Sequence, residues 1–456
     1  MSKISGTRIS GVFGSRTGKL YGKVWRLSVP IMLANLSVPL LGAVDTAVVG
    51  HLPDPASIGG VALGSVIFSF LYWGFGFLRM GTTGFTAQAL GAGNDDEVRA
   101  ALARPLLLGL LLSLALVALQ DPIAWIALWA VEGSPAVEAA TATYYHIRIW
   151  SAPAALVNFT VLGWLLGMQR TGISLCLQLL LNGTNILLDL LFVLGLGWGI
   201  AGVAAATVIA ESLAAAAGLA LVLGLMKRHG GHWDLARILR RDRLWALLRV
   251  NLDIFVRTVA LLFAFAGFTA QGARMGDNLL AANAILMNLF TFIAYGLDGF
   301  AHAAEILAGN AVGAAQRQAF RSAVRSSTLC ALGMSAAFSV LLLCLGPDIV
   351  GLYSDIPSVR DTAIAYLPWV TVAPLLSVWC FQLDGIFIGA TRTAAMRNAA
   401  VASLLLFIVA SWLLVPAFGN HGLWLALMIF TVGRALTLGV YYPALERSVT
   451  RPTQSE

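Results

Sequence analysis

The feature that most narrows what this chain can become is a succession of long apolar runs, among them Pro105–Leu119, Ile173–Leu196 and Ala399–Val415. Each is apolar over most of the ~20 residues that a helix needs to cross a hydrocarbon layer. No water reaches peptide groups there, so they must bond within a helix or around a closed barrel. Barrel strands alternate apolar and polar residues, and these runs do not. Composition agrees, with 59% hydrophobic and 11% charged residues, against ~45–50% and ~25% in soluble domains. The expected fold class is an all-α polytopic membrane protein.

Spans are predicted near 24–50, 58–79, 98–119, 139–166, 172–195, 199–226, 244–273, 279–310, 322–346, 361–390, 396–415 and 421–445. With the N-terminus inside, 23 Lys/Arg fall in cytoplasmic segments, whereas outside there are two, Arg274 and Arg360. Arg79, Arg148, Arg257 and Arg434 fall within spans. This bias predicts twelve transmembrane helices with both termini cytoplasmic in a bacterial inner membrane. A helix miscounted early would move the later basic loops to the wrong side. The same topology accounts for the net charge of +7, since the basic residues form no single face for nucleic acid. Residues 1–23 read as a basic cytoplasmic tail and not as a cleavable signal.

Cys176, Cys330, Cys344 and Cys380 lie in apolar segments without CxxC spacing, so neither a disulfide framework nor a zinc site is expected. His51, His146, His302 and His421 show no ligand spacing, and no metal is assigned beyond a coupling Na+. There is no GxxxxGK[ST] for ATP, and no HExxH or Ser/His constellation for an enzyme.

The chain repeats itself. Gly167-Met-Gln-Arg170-Thr171 recurs as Gly389-Ala-Thr-Arg392-Thr393 at an offset of 222. Gly81 and Gly91 are matched with Gly299 and Gly309 at 218, and Gly199-Ile200 with Gly422-Leu423 at 223. Each match falls at the same place in the helix count, which argues for an internal repeat. An even number of spans per repeat makes the two six-helix bundles parallel, a standard build of secondary transporters. The expected organisation is an N-terminal tail (1–23), a first bundle (24–226), a basic cytoplasmic linker (227–243), a second bundle (244–446) and a C-terminal tail (447–456).

Carboxylates within spans cost several kcal/mol, so they tend to face protein or water and to mark an ion or substrate path. The first half has Asp45, Asp189 and Glu211. Asn185 and Asp189 are four apart and share a helix face. At ~1.5 Å per residue, Asp45 and Asp189 fall in the outer half of their spans. Thr207 enters from outside, and Asn158 sits near mid-span, so these oxygens can converge on one cavity. Such a set suits a proton or a sodium ion; the alternatives are interhelical hydrogen bonds or pairing with Arg148. In the second half, Asp253 and Arg257 are spaced to pair on one helix. Asp298, Glu305 and Asp384 form a candidate polar site, serving either as a second ion path or as a lock between halves. Arg79 reads as a structural partner for a carboxylate or helix end. Pro30 and Pro39 permit a bend in the first span, or impose a static kink.

Pro30-Ile-Met-Leu-Ala-Asn35, Gly42-Ala-Val-Asp45-Thr-Ala-Val-Val-Gly50-His51, Arg79-Met-Gly-Thr-Thr-Gly84 and Asp384-Gly-Ile-Phe-Ile-Gly-Ala-Thr-Arg392-Thr393 resemble the multidrug and toxic compound extrusion (MATE) family, its DinF branch in particular. The resemblance covers residues 20–446. It implies export of cationic, often aromatic compounds by antiport with H+ or Na+, alternating between outward-open and inward-open states. It also implies that Asp45, Asn185, Asp189 and Thr207 form the cation site, that Asn158 lies in the substrate cavity, and that the first helix bends at Pro30. The acidic residues that other branches carry on the seventh span have no clear match, since Asp253 sits near that helix's inner end.

The sequence reading is therefore a secondary active exporter of cationic or amphiphilic compounds. It needs no cofactor apart from H+ or Na+, partners with small molecules and membrane lipid and not with nucleic acid, and works as a monomer. The alternative is a flippase of a lipid-linked precursor, which would need a basic central cavity; the sequence reading finds few central arginines for one.

Overall fold

The computed structural model describes residues 17–50, 54–131 and 133–449. His51 and most of both expected tails lie outside the described residues. Among the described residues, twelve helical spans are long and apolar enough to cross a membrane, and no strand occurs.

The first span is α1 (Thr17–Val49), a single helix that runs through both Pro30 and Pro39. The second is broken at Phe75-Gly76 into α2 (Pro55–Gly74) and α3 (Phe77–Gly91). α4 (Asp95–Ala118) is the third, and the short α5 (Gln120–Val131) follows with Trp125 and Trp129 exposed. The fourth comprises α6 (Pro135–Arg148), a 3₁₀ turn and α7 (Ala152–Gly167). The fifth, α8 (Thr171–Asp189), loosens into a π-helical turn over Leu190–Gly195, and the sixth is α9 (Gly199–Arg228). After the four-residue α10 (Leu235–Ile238) come α11 (Arg241–Ala273), α12 (Asp277–Gly313), α13 (Arg317–Tyr353), α14 (Pro357–Gly389), α15 (Thr393–Phe418) and α16 (Asn420–Ser448).

The sequence reading ended the second span at Arg79, where the chain turns to Gly and Thr. The helix continues to Gly91, with the Thr82 and Thr83 hydroxyls satisfied by the carbonyls of Leu78 and Arg79 one turn back. Its small residues also admit close neighbours: a methyl on Gly163 of α7 would overlap the Arg79 carbonyl, and one on Gly167 would strike Thr86.

The two halves repeat in packing. α3 packs on α4 and α7, and α9 on α7 and α8; α12 packs on α13 and α14, and α16 on α14 and α15. The α1–α8 pair corresponds to α11–α15. Backbone details follow the same offset of 222. Gly93 (φ 65°) corresponds to Ala315 (φ 53°), Gln169 (φ 61°) to Thr391 (φ 52°), and Gly197 (φ 69°) to Gly419 (φ 55°). At the GxxRT turns, Arg170 N–H donates to Leu165 O at 2.8 Å and Arg392 N–H to Phe387 O at 3.0 Å, the six-to-one bond that closes a helix with a left-handed residue. These correspondences replace the glycine matches at 218 and 223: Gly91 pairs structurally with Gly313, and Gly197 with Gly419.

Candidate functional site

Asp45 on α1, Asn185 and Asp189 on α8, and Thr207 on α9 form a pocket within the first half. Asn185 and Asp189 are 3% and 1% exposed. Asn185 donates Nδ2–H to Thr207 Oγ1 at 3.4 Å, while the Thr207 hydroxyl donates to Val203 O at 3.2 Å. The carboxyls of Asp45 and Asp189 lie within hydrogen-bonding reach of each other. Both Asp189 oxygens and Asp45 Oδ1 are buried without a donor among the described residues. Ionised carboxyls only accept hydrogen bonds, so two facing each other with most of their oxygens buried favour a proton or a cation between them. The α-helical ladder gives way to a π turn immediately after Asp189, an irregularity that recurs at functional sites.

Beside this pocket, Arg148 lies over the Phe68 ring at 4.8 Å and donates to the Tyr144 hydroxyl. Its charge acts on Asp45, Asp189 and Glu211, yet its hydrogen bond goes to the phenol. Glu211 is buried, bonded to Ser151 through its side chain, and leaves Oε2 without a donor. Ser151 Oγ in turn lies 3.0 Å from Tyr72 Oη. Asn158 donates Nδ2–H to the Glu211 carbonyl at 3.0 Å and is not among the residues lining the central cavity.

That cavity, about 790 Å³, lies between the halves and is lined by Tyr72, Trp73, Phe159, Phe265 and Phe290 together with polar groups. Three arginines, Arg79, Arg257 and Arg434, line it with Asp298 and His302. This corrects the expectation of few central arginines. A second correction concerns Asp253: it accepts from Arg397 Nη1 at 2.6 Å and Thr393 Oγ1 at 3.0 Å and does not pair with Arg257. Arg257 and Arg434 instead share Oδ2 of Asp384. Spacing of four on α11 made Asp253 and Arg257 neighbours, but stronger partners on α14 and α15 took each of them.

Arg79 Nη1 lies 3.1 Å from His302 Nε2, and His302 Nδ1 lies 2.8 Å from Glu305 Oε2. Arginine only donates, so Nε2 accepts and Nδ1–H donates to Glu305, leaving a neutral imidazole. This chain joins α3 in one half to α12 in the other. Of the three second-half acids, Asp298 thus faces the cavity, Glu305 lies fully buried beneath His302, and Asp384 clamps two guanidiniums. His302 and Arg434 went unremarked as site residues in the sequence, although Asp298, His302 and Glu305 share one helix face by spacing.

At one end of the molecule the halves meet backbone to backbone. A methyl on Gly91 would overlap the Asn310 carbonyl, and reciprocally one on Gly313 would overlap that of Gln88. Gln88 Nε2 donates to Gly389 O at 2.8 Å and Thr391 Oγ1 at 3.1 Å. His302 precedes Gly313 by about 16 Å of helix at ~1.5 Å per residue, so the cavity lies well beyond this closed end.

Comparison with known proteins finds that the family model described as MatE matches residues 30–191 and 254–413, one segment in each half. DNA damage-inducible protein F of Escherichia coli (strain K12) is 42% identical over 423 residues, 92% of this chain and 91% of that protein. The probable multidrug resistance protein NorM of Rhizobium meliloti (strain 1021) is 24% identical over 450 residues, 93% of each chain. A solved structure described as MATE in the bent conformation superposes with a TM-score of 0.85 at 20% identity, covering 95% of this chain and 99% of that one.

Proposed function

The chain belongs to the MatE family of multidrug efflux transporters, within its DinF-like branch, and we propose that it exports amphiphilic organic compounds by ion-coupled alternating access. The observation that carries this reading is the facing pair Asp45 and Asp189, in which both Asp189 oxygens and Asp45 Oδ1 are buried without a donor among the described residues. Asn185 and Thr207 supply neutral oxygens beside them, so H+ or Na+ entering from outside completes the pocket.

The basic-loop bias favours a cytoplasmic position for the closed end, with the cavity facing outward and both termini inside the cell. Bundles over 24–226 and 244–446, joined by the 227–243 linker, then rock about the α3–α12 contact in a monomer. Pro30 and Pro39 leave α1 short of backbone bonds on the stretch leading to Asp45, so filling the pocket can bend this helix toward the cavity. Cargo leaves as the ion enters.

Efflux of a fluorescent organic compound from proteoliposomes, under separately imposed H+ and Na+ gradients, tests this. Uphill efflux is expected in wild type with one gradient, and loss is expected in Asp45→Asn, Asp189→Asn and the double variant. Wild-type uphill rates in the double variant would sink the mechanism. A lipid-linked precursor flippase is the second reading, and the arginine-lined cavity favours it; it gains if neither gradient drives efflux while a phosphate-headed lipid is translocated.

A further inference from the structure

Each guanidinium offers five N–H donors and accepts none. Arg257 and Arg434 each direct one bond to the same Asp384 oxygen, and Arg257 Nε–H is buried with no acceptor among the described residues. Arg79 bonds His302. The wall facing the cavity therefore presents three guanidiniums and an imidazole against a single carboxylate, Asp298, because Asp384 and Glu305 are buried behind it. Asp298 already lies in the field of Arg79 and Arg257. A cation entering here would face guanidinium N–H donors at three positions and find one carboxylate acceptor, Asp298, in the wall. An oxyanion would take charge-assisted, often paired hydrogen bonds from these guanidiniums.

The rest of the wall is aromatic and aliphatic, including Trp73, Phe159, Phe265 and Phe290. The volume of about 790 Å³ falls within the ~300–1,000 Å³ of sites for single drug-sized molecules. We propose that the cargo of this cavity is an amphipathic organic acid. Its oxyanion sits against Arg79, Arg257 and Arg434, and its apolar body lies among the aromatic rings. This deepens the export reading and rests on the central cavity being the cargo site.

Equilibrium binding to the purified full-length protein, with no gradient imposed, tests the assignment using two radiolabelled ligands that share a naphthalene body. One is 2-naphthylacetate and the other is (2-naphthylmethyl)trimethylammonium. Wild type is expected to bind the acid at least about tenfold more tightly. That preference is expected to vanish in Arg79→Gln and in the charge-balanced double variant Arg434→Gln/Asp384→Asn, which avoids leaving Asp384 short of a partner. Asp298→Asn, which removes the wall's one carboxylate, is expected to strengthen it. Tighter binding of the ammonium compound by wild type, or unchanged acid affinity in both arginine variants, overturns the proposal. Competition with dodecyl phosphate separates two sources of the same chemistry: efficient displacement points to a lipid-like oxyanion, and none to a free acid. Because no gradient is present, failure here leaves coupling at Asp45 and Asp189 standing, and failure of coupled efflux leaves the binding preference standing.

Discussion

Ala315, Gln169 and Thr391 hold left-handed backbone conformations although none is glycine. The steric cost is roughly 1–2 kcal/mol per residue, and Gly93, the repeat mate of Ala315, avoids it. Ala315→Gly is therefore expected to stabilise the protein by about 1 kcal/mol, and Gly93→Ala to destabilise it by a similar amount, read as opposite shifts in the thermal unfolding midpoint in detergent. The Asp384 cluster obeys a different rule. Removing a single member of a buried charge group costs ~3–5 kcal/mol, whereas replacing charges together is often neutral. Asp384→Asn alone should lower the unfolding midpoint sharply, and adding Arg257→Gln should recover much of the loss; equal midpoints for the single and double variants would contradict the shared clamp. At this scale the sequence was readable in which residues share a helix face, as Asn185 and Asp189 do. It was unreadable where the partner comes from afar, as Arg397 does to Asp253, because helix rotation decides which way a guanidinium points.

At the scale of elements, the halves differ in continuity. The second, fourth and fifth spans are broken at Phe75-Gly76, turned into 3₁₀ at Ile149–Ser151 and loosened into π at Leu190–Gly195, whereas α12, α14 and α15 run unbroken. Every one of these irregularities lies close in sequence to a polar group of the first half: Tyr72, Ser151 and Asp189. Glu211, Ser151 and Tyr72 form a chain of carboxyl and hydroxyl groups from the interior of the first half to the cavity wall. Glu211→Gln is expected to slow ion-driven efflux by about tenfold, the scale of one lost ~1.4 kcal/mol interaction, with naphthylacetate affinity little changed. Equal slowing of ion-driven and downhill flux would assign the chain a packing role. Span number and order were legible from apolar length and basic loops. The breaks were not, since hydropathy averages over a whole turn, and the second span was cut short at its small residues for the same reason.

For the whole molecule, the repeat was legible in the GxxRT turns because their left-handed residue and following helix start demand a local sequence. Isolated glycines were misaligned at 218 because glycine is frequent in these helices, and only the reciprocal contacts of Gly91 and Gly313 show which ones correspond. Those contacts shut one end. Gly313→Ala is expected to prise it open, lengthening the distance between spin labels at Arg170→Cys and Arg392→Cys in a background without native cysteines; an unchanged distance would mean that the contact does not hold the end closed. The facing pair Asp45 and Asp189 also sets an upper limit on concentrating power. Two carboxyls carry at most two protons per cycle, and each brings ~2.3 kcal/mol per 100 mV of membrane potential. For an uncharged cargo, 100 mV with no pH difference sustains a gradient on the order of a thousandfold, at ~1.4 kcal/mol per factor of ten. A negative interior also drives an acid outward and holds a cation back, so the same two carboxyls would clear the cell of acids more steeply than of bases.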